Sequence, residues 1–104
     1  YKNWPQVTCS VAPRGQFELV QMLPQYVPPP ALFEKYTNSA FSSPESIAHL
    51  HSKNGDALIV SGGETDICVA ASVFSAVDYR YRAVIAADAV CSSSDEENDY
   101  IKRY

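Results

Sequence analysis

A thiol and an ammonium stand in this sequence where a nucleophile and its counter-charge would be useful. Cys68 follows an apolar run at 57–60 (ALIV) and a Gly62-Gly63 break, so it falls in the first turn of the helix expected after Thr65. First-turn amides lack intrahelical partners and carry the positive end of the macrodipole, which favours an anion. A thiol so placed tends to a lowered pKa and reacts as thiolate. Gly62 and Gly63 permit a turn that aims N–H groups at a developing oxyanion. The competing reading is a small apolar Cys that packs the start of the helix. Lys35 closes a short strand candidate at 31–35 (ALFEK). Taken alone, it reads as a surface lysine at a strand end.

The other chemistry-bearing residues point to less. Cys9 and Cys91 read as bystanders, and three cysteines without a CxxC pair leave no structural zinc site. His49 and His51 lie two apart, whereas metal-binding pairs on one helix face are about three or four apart. A polar surface-helix face is the simpler reading, and neither metal nor cofactor is expected. The net charge is −4 and the eight basic residues are scattered, which argues against a nucleic-acid partner. No run approaches the ~18 apolar residues of a membrane span. The odd cysteine count fits a reducing compartment, so a cytoplasmic location is expected. Asp88 reads as a hydrogen-bonding residue at a strand end, and the acid run at 95–99 as a solvated helix start.

The elements that must position Cys68 and Lys35 follow from patterning. Residues 16–25 have helical apolar spacing, and Pro28 to Pro30 force an extended segment. A helix starts at 42–45 (SSPE), with either a Ser42–Glu45 capping box or a Ser43 cap before Pro44. It stops at Asn54-Gly55. The unalternating run at 57–60 reads as a strand buried on both faces. A helix capped by Thr65 runs to about Asp78, with Val69, Val73, Phe74 and Val77 on its buried side. A second apolar strand occupies 83–87 (AVIAA), and a last helix follows the Ser94–Glu97 capping box. Strand, helix and strand over 57–87 make a βαβ unit. The fold class is α/β with a mainly parallel sheet, in which ligands sit beyond the carboxyl ends of strands.

Three segments carry a resemblance. Residues 61–69 (SGGETDICV) are similar to the nucleophile motif of isochorismatase-like cysteine hydrolases. Residues 81–90 (YRAVIAADAV) resemble the strand that follows it, and 33–41 (FEKYTNSAF) the segment holding the family's lysine. The three occur in order and cover roughly 28–100. The resemblance implies a three-layer α/β/α, Rossmann-like domain, spanning 1–104 and incomplete, without its N-terminal strands and C-terminal end. It implies hydrolysis of an amide-type C–N bond in a small-molecule substrate, through a Cys68 thioester with Lys35 assisting. It implies an oxyanion turn at Gly63 and Glu64, with a cis peptide between them. Tyr36 and Phe41 are candidate pocket residues, packing being the equal alternative. Homo-oligomers are expected from relatives.

The departures matter as much. The family's triad Asp lies in an early Asp-x-Gln-like stretch, and no Asp precedes Lys35 here. The nicotinamidase metal ligands have no counterpart, which disfavours nicotinamide. Cys68 argues against a true isochorismatase, whose nucleophile position holds no Cys. Asn98 stands where relatives commonly have His. The alternative function is a non-catalytic binding or assembly module on the same fold. A phosphate site at Gly62-Gly63 ranks lower, because Glu64 would repel the anion.

Overall fold

The computed structural model describes residues 11, 13, 15, 22–26 and 30–102, with side chains for all of these but 26, 97 and 100–102. The chain divides into two compact units, Tyr1–Leu32 and Phe33–Tyr104. In the first, Pro24–Tyr26 form a 3-10 turn, and Gln25 Nε2 donates to the Met22 carbonyl at 2.7 Å. The helix expected over 16–25 lies largely outside the described residues, as does Cys9.

The second unit begins without regular structure, so the strand expected at 31–35 is absent. A strand is held by ladder partners, and none lies beside this segment among the described residues. A 3-10 turn at Ala40–Ser42 leads into α1 (Pro44–Ser52). Ser43 is the N-cap of α1, its hydroxyl oxygen accepting from the Ser46 amide, with Pro44 at the first helical position. The chain leaves α1 through Asn54 at φ +53°, a left-handed conformation that Asn tolerates.

Strands β1 (Ala57–Gly63) and β2 (Arg82–Cys91) pair in parallel, joined through a π-helical turn (Thr65–Val69) and α2 (Ala70–Asp78). The βαβ reading therefore holds, with both strands longer than expected. Register runs evenly from Ala57↔Arg82 to Val60↔Ile85, then jumps to Gly62↔Val90 and Gly63↔Cys91. Residues 86–89 bulge opposite Ser61, and the ends of both strands still meet. Helix α3 (Asp95–Lys102) follows, its Asn98 amide donating to the Ser94 carbonyl.

Phe41, Ala76 and Tyr81 form the buried centre, with Ile47, Leu50, Leu58 and Ala83 packed against them. Two expectations of burial are corrected here. Strand β1 is not covered on both faces: Leu58 enters the core, but Ile59 on the opposite face is 81% exposed beside its register partner Val84. Val69 at the end of the π-helical turn and Ala76 on α2 are buried, but Phe74 is 71% exposed and Val77 is also exposed. Phe74 lies two residues from Ala76, about 200° around the helix, so the two cannot share a face.

Candidate active site

The turn that carries Cys68 is pinned from one side. Gly63–Glu64 is a cis peptide, as the resemblance implied. The Glu64 carbonyl accepts from both Ile67 (3.3 Å) and Val69 (2.9 Å), the second bond spanning five residues and widening the turn. Thr65 does not cap the helix: Glu64 holds the N-cap position, and the fully buried Thr65 hydroxyl donates instead to Asn98 Oδ1 at 2.8 Å. Ser92 Oγ accepts from the Thr65 amide (3.1 Å) and the Asp66 amide (3.4 Å) and donates to Asp66 Oδ1 (2.6 Å). The Ser93 amide and hydroxyl both donate to Glu64 Oε2, at 2.6 and 3.0 Å.

Lys35 reaches the same turn. Its Nζ donates to the carbonyls of Thr37 (3.0 Å) and Asn38 (3.2 Å) and to Cys68 Sγ (3.5 Å). The loop bearing Lys35 is docked on α2 by two serines. Ser72 Oγ accepts from the Ala40 amide (3.0 Å) and donates to the Cys68 carbonyl (2.7 Å). Ser75 Oγ, whose proton goes to the Ala71 carbonyl, meets Ser39 Oγ at 2.8 Å. One hydroxyl, that of Ser72, thus ties the lysine loop to the backbone of Cys68 itself.

Lys35 and Cys68 open onto a cleft of about 350 Å³. Its walls are mostly apolar, including Phe41, Leu50, Leu58, Val60 and Val69; Gly63, Ser61 and Ser72 also line it. Lys35 is the charged side chain among these lining residues. Of the two aromatic pocket candidates, Phe41 lines the cleft while belonging to the core, stacked at 5.4 Å on Tyr79. Tyr36 is absent from the lining: it is 70% exposed and donates to Glu34 Oε2 at 2.9 Å. The histidines face rings, not only solvent, with His49 5.2 Å from Phe33 and His51 near Tyr79 and Tyr81.

Ser72, Ser75 and Ser92 escaped the sequence reading, because serine is common and these bonds span 26–36 positions. Only the spacing of Ser72 and Ser75, four residues after Cys68 and Ala71, signals hydroxyls that can bond back to helix carbonyls.

A model of the isochorismatase domain matches residues 2–103. The chain belongs to this family. No curated protein matches it significantly. Among solved structures, an isochorismatase-like hydrolase from Alkaliphilus metalliredigens aligns with a TM-score of 0.64 at 20% identity, over 74% of this chain and 46% of that one. At that identity the likeness is one of fold, and the α/β class follows. The chain spans under half the length of that structure. In this isochorismatase-family chain, the residues brought together are Cys68, Lys35, Gly63 and Phe41, while Glu64 turns its carboxylate to Ser93 and Tyr36 stays outside.

Proposed function

We propose that the chain carries the nucleophile and cation of a cysteine hydrolase acting on an amide-type C–N bond of a small molecule. The observation that carries this reading is the 3.5 Å approach of Lys35 Nζ to Cys68 Sγ. An ammonium hydrogen-bonded to sulfur favours the thiolate, and the helix start adds the same sign of field. The thiolate adds to the carbonyl carbon, and the C–N bond breaks as the amine takes up a proton. Water then cleaves the thioester and restores the thiol. The Thr65, Asp66 and Ile67 amides already have acceptors. The oxyanion donors of this reading are backbone amides of the turn at Gly63, Glu64 and Cys68. The apolar cleft suits a substrate whose acyl side is compact and apolar.

The test is alkylation of each cysteine by iodoacetamide across pH, mapped by peptide mass spectrometry. Cys68 is expected to be alkylated faster at neutral pH than Cys9 and Cys91, and Lys35→Met to slow it. A Cys68 that reacts no faster than Cys9 and Cys91 would overturn the reading in favour of a non-catalytic binding module.

A further inference from the structure

Two carboxylates flank the nucleophile turn, Glu64 and Asp66, and both are engaged by the same short loop between β2 and α3. Asp66 Oδ1 accepts from Ser92 Oγ at 2.6 Å, and Glu64 Oε2 accepts from the Ser93 amide and hydroxyl at 2.6 and 3.0 Å. Neither Glu64 nor Asp66 lines the cleft in which Lys35 meets Cys68. A negative charge near a thiol opposes the thiolate, so an unanchored carboxylate on this turn would work against Lys35. Held on serine donors, the same charge is engaged in hydrogen bonds to the loop between β2 and α3.

We propose that Ser92 and Ser93 are positioning residues that hold the Glu64 and Asp66 carboxylates off the Cys68 thiolate while setting the first turn of its helix. Ser92 does both at once: its oxygen receives the Thr65 and Asp66 amides, and its proton holds the Asp66 side chain. The remaining charges around the turn are few. Among the described side chains, Lys35 is the cation that meets Cys68. Strand β1 bears no ionisable side chain, and α2 has only Asp78 at its far end. Strand β2 brings Asp88 and Cys91 on the turn's side, with Arg82 at its other end. Among its described side chains, helix α3 brings Asp95, Glu96 and Asp99, all exposed. Of the carboxylates, only Glu64 and Asp66 lie within four residues of Cys68.

This inference rests on the reading of Cys68 as a thiolate nucleophile, and the experiment separates the two. The iodoacetamide pH profile of Cys68 is measured in the wild type, Ser92→Ala, Ser92→Thr and the double variant Ser92→Ala/Asp66→Asn, with urea unfolding alongside. Ser92→Ala is expected to raise the midpoint and slow alkylation at neutral pH about two- to fivefold, short of the tenfold per pH unit that applies only well below the midpoint. Ser92→Thr keeps the hydroxyl and should restore the wild-type midpoint. The double variant removes the loosened charge and should also return it to the wild-type value or below, even where unfolding shows that stability has not recovered. A wild-type midpoint that is low but unmoved by Ser92→Ala would overturn the clamp and leave the nucleophile standing. Failure of the double variant to restore the midpoint would assign the effect to backbone disorder, also overturning the clamp. An ordinary wild-type midpoint would sink the parent reading instead.

Discussion

Thr65 shows how a single side chain can link two elements. It is fully buried, and its hydroxyl meets Asn98 Oδ1 at 2.8 Å. Thr65→Val keeps the shape and strands the Asn98 carbonyl oxygen, so it should cost ~1–3 kcal/mol in urea unfolding. Gly63 is constrained by space. A Cβ there would lie 3.1 Å from the Cys91 carbonyl oxygen and 3.2 Å from Cys91 Sγ. Gly63→Ala should therefore destabilise by ~1–3 kcal/mol, as overpacked sites do. Adding Cys91→Ala should recover only part of that loss, because the backbone carbonyl remains. Full recovery in a double-mutant cycle would show that the sulfur alone makes the site tight. Both residues were singled out by the motif around Cys68, but their neighbours Cys91 and Asn98 are set by folding.

Helix α1 was the most legible of the elements, because its start signals are local. Ser43 caps it, Pro44 follows, and Ser43 Oγ donates to Glu45 Oε2 at 2.6 Å. That bond first, and the Glu45 backbone amide second, hold the Glu45 carboxyl below its ordinary value. A carboxyl lowered by folding contributes stability above its unfolded pKa and loses it as pH falls through the folded one. Ser43→Ala should cost about 1 kcal/mol near neutral pH. The cost should shrink well below the ~4.3 of a free glutamate, as paired urea titrations at the two pH values would show. The lysine loop was less legible. Lys35 was named from the motif, but the strand expected beneath it is absent, and Ser72 and Ser75 tether the loop instead. Ser72→Ala should slow Cys68 alkylation at neutral pH several-fold without a matching loss of stability. Unchanged alkylation would mean that Lys35 finds the sulfur without this tether.

Across the whole molecule, the sheet leaves apolar side chains uncovered. Ile59 projects from β1 into solvent beside Val84, and Phe74 and Val77 are exposed on α2. Exposed apolar surface of this kind promotes association. We expect concentration-dependent self-association in sedimentation velocity, reduced by Ile59→Lys with little change in unfolding free energy. Ile59 has no burial to lose, and exposed positions usually move stability by no more than ~0.5 kcal/mol. A chain that stays monomeric throughout the concentration series would refute the expectation. Among the described residues, no helix is long and apolar enough to cross a membrane.

Local chemistry decided what could be read directly. The Gly62-Gly63 break, the Ser43-Pro44 cap and the two apolar runs at 57–60 and 83–87 act over a few residues, so the order strand, helix, strand was available from the chain alone. The cis Gly63–Glu64 peptide and the pairing of Cys68 with Lys35 were implied only by the resemblance of residues 61–69 and 33–41 to the isochorismatase-like motifs. Tertiary structure decided which apolar residues are buried, because a continuous hydrophobic run reports affinity for cover and not whether cover arrives. It also decided which hydroxyls matter. Ser72, Ser92 and Asn98 acquire roles only when residues 26–33 positions apart meet within hydrogen-bonding distance, and a serine in sequence carries no mark of the partner that folding will bring to it.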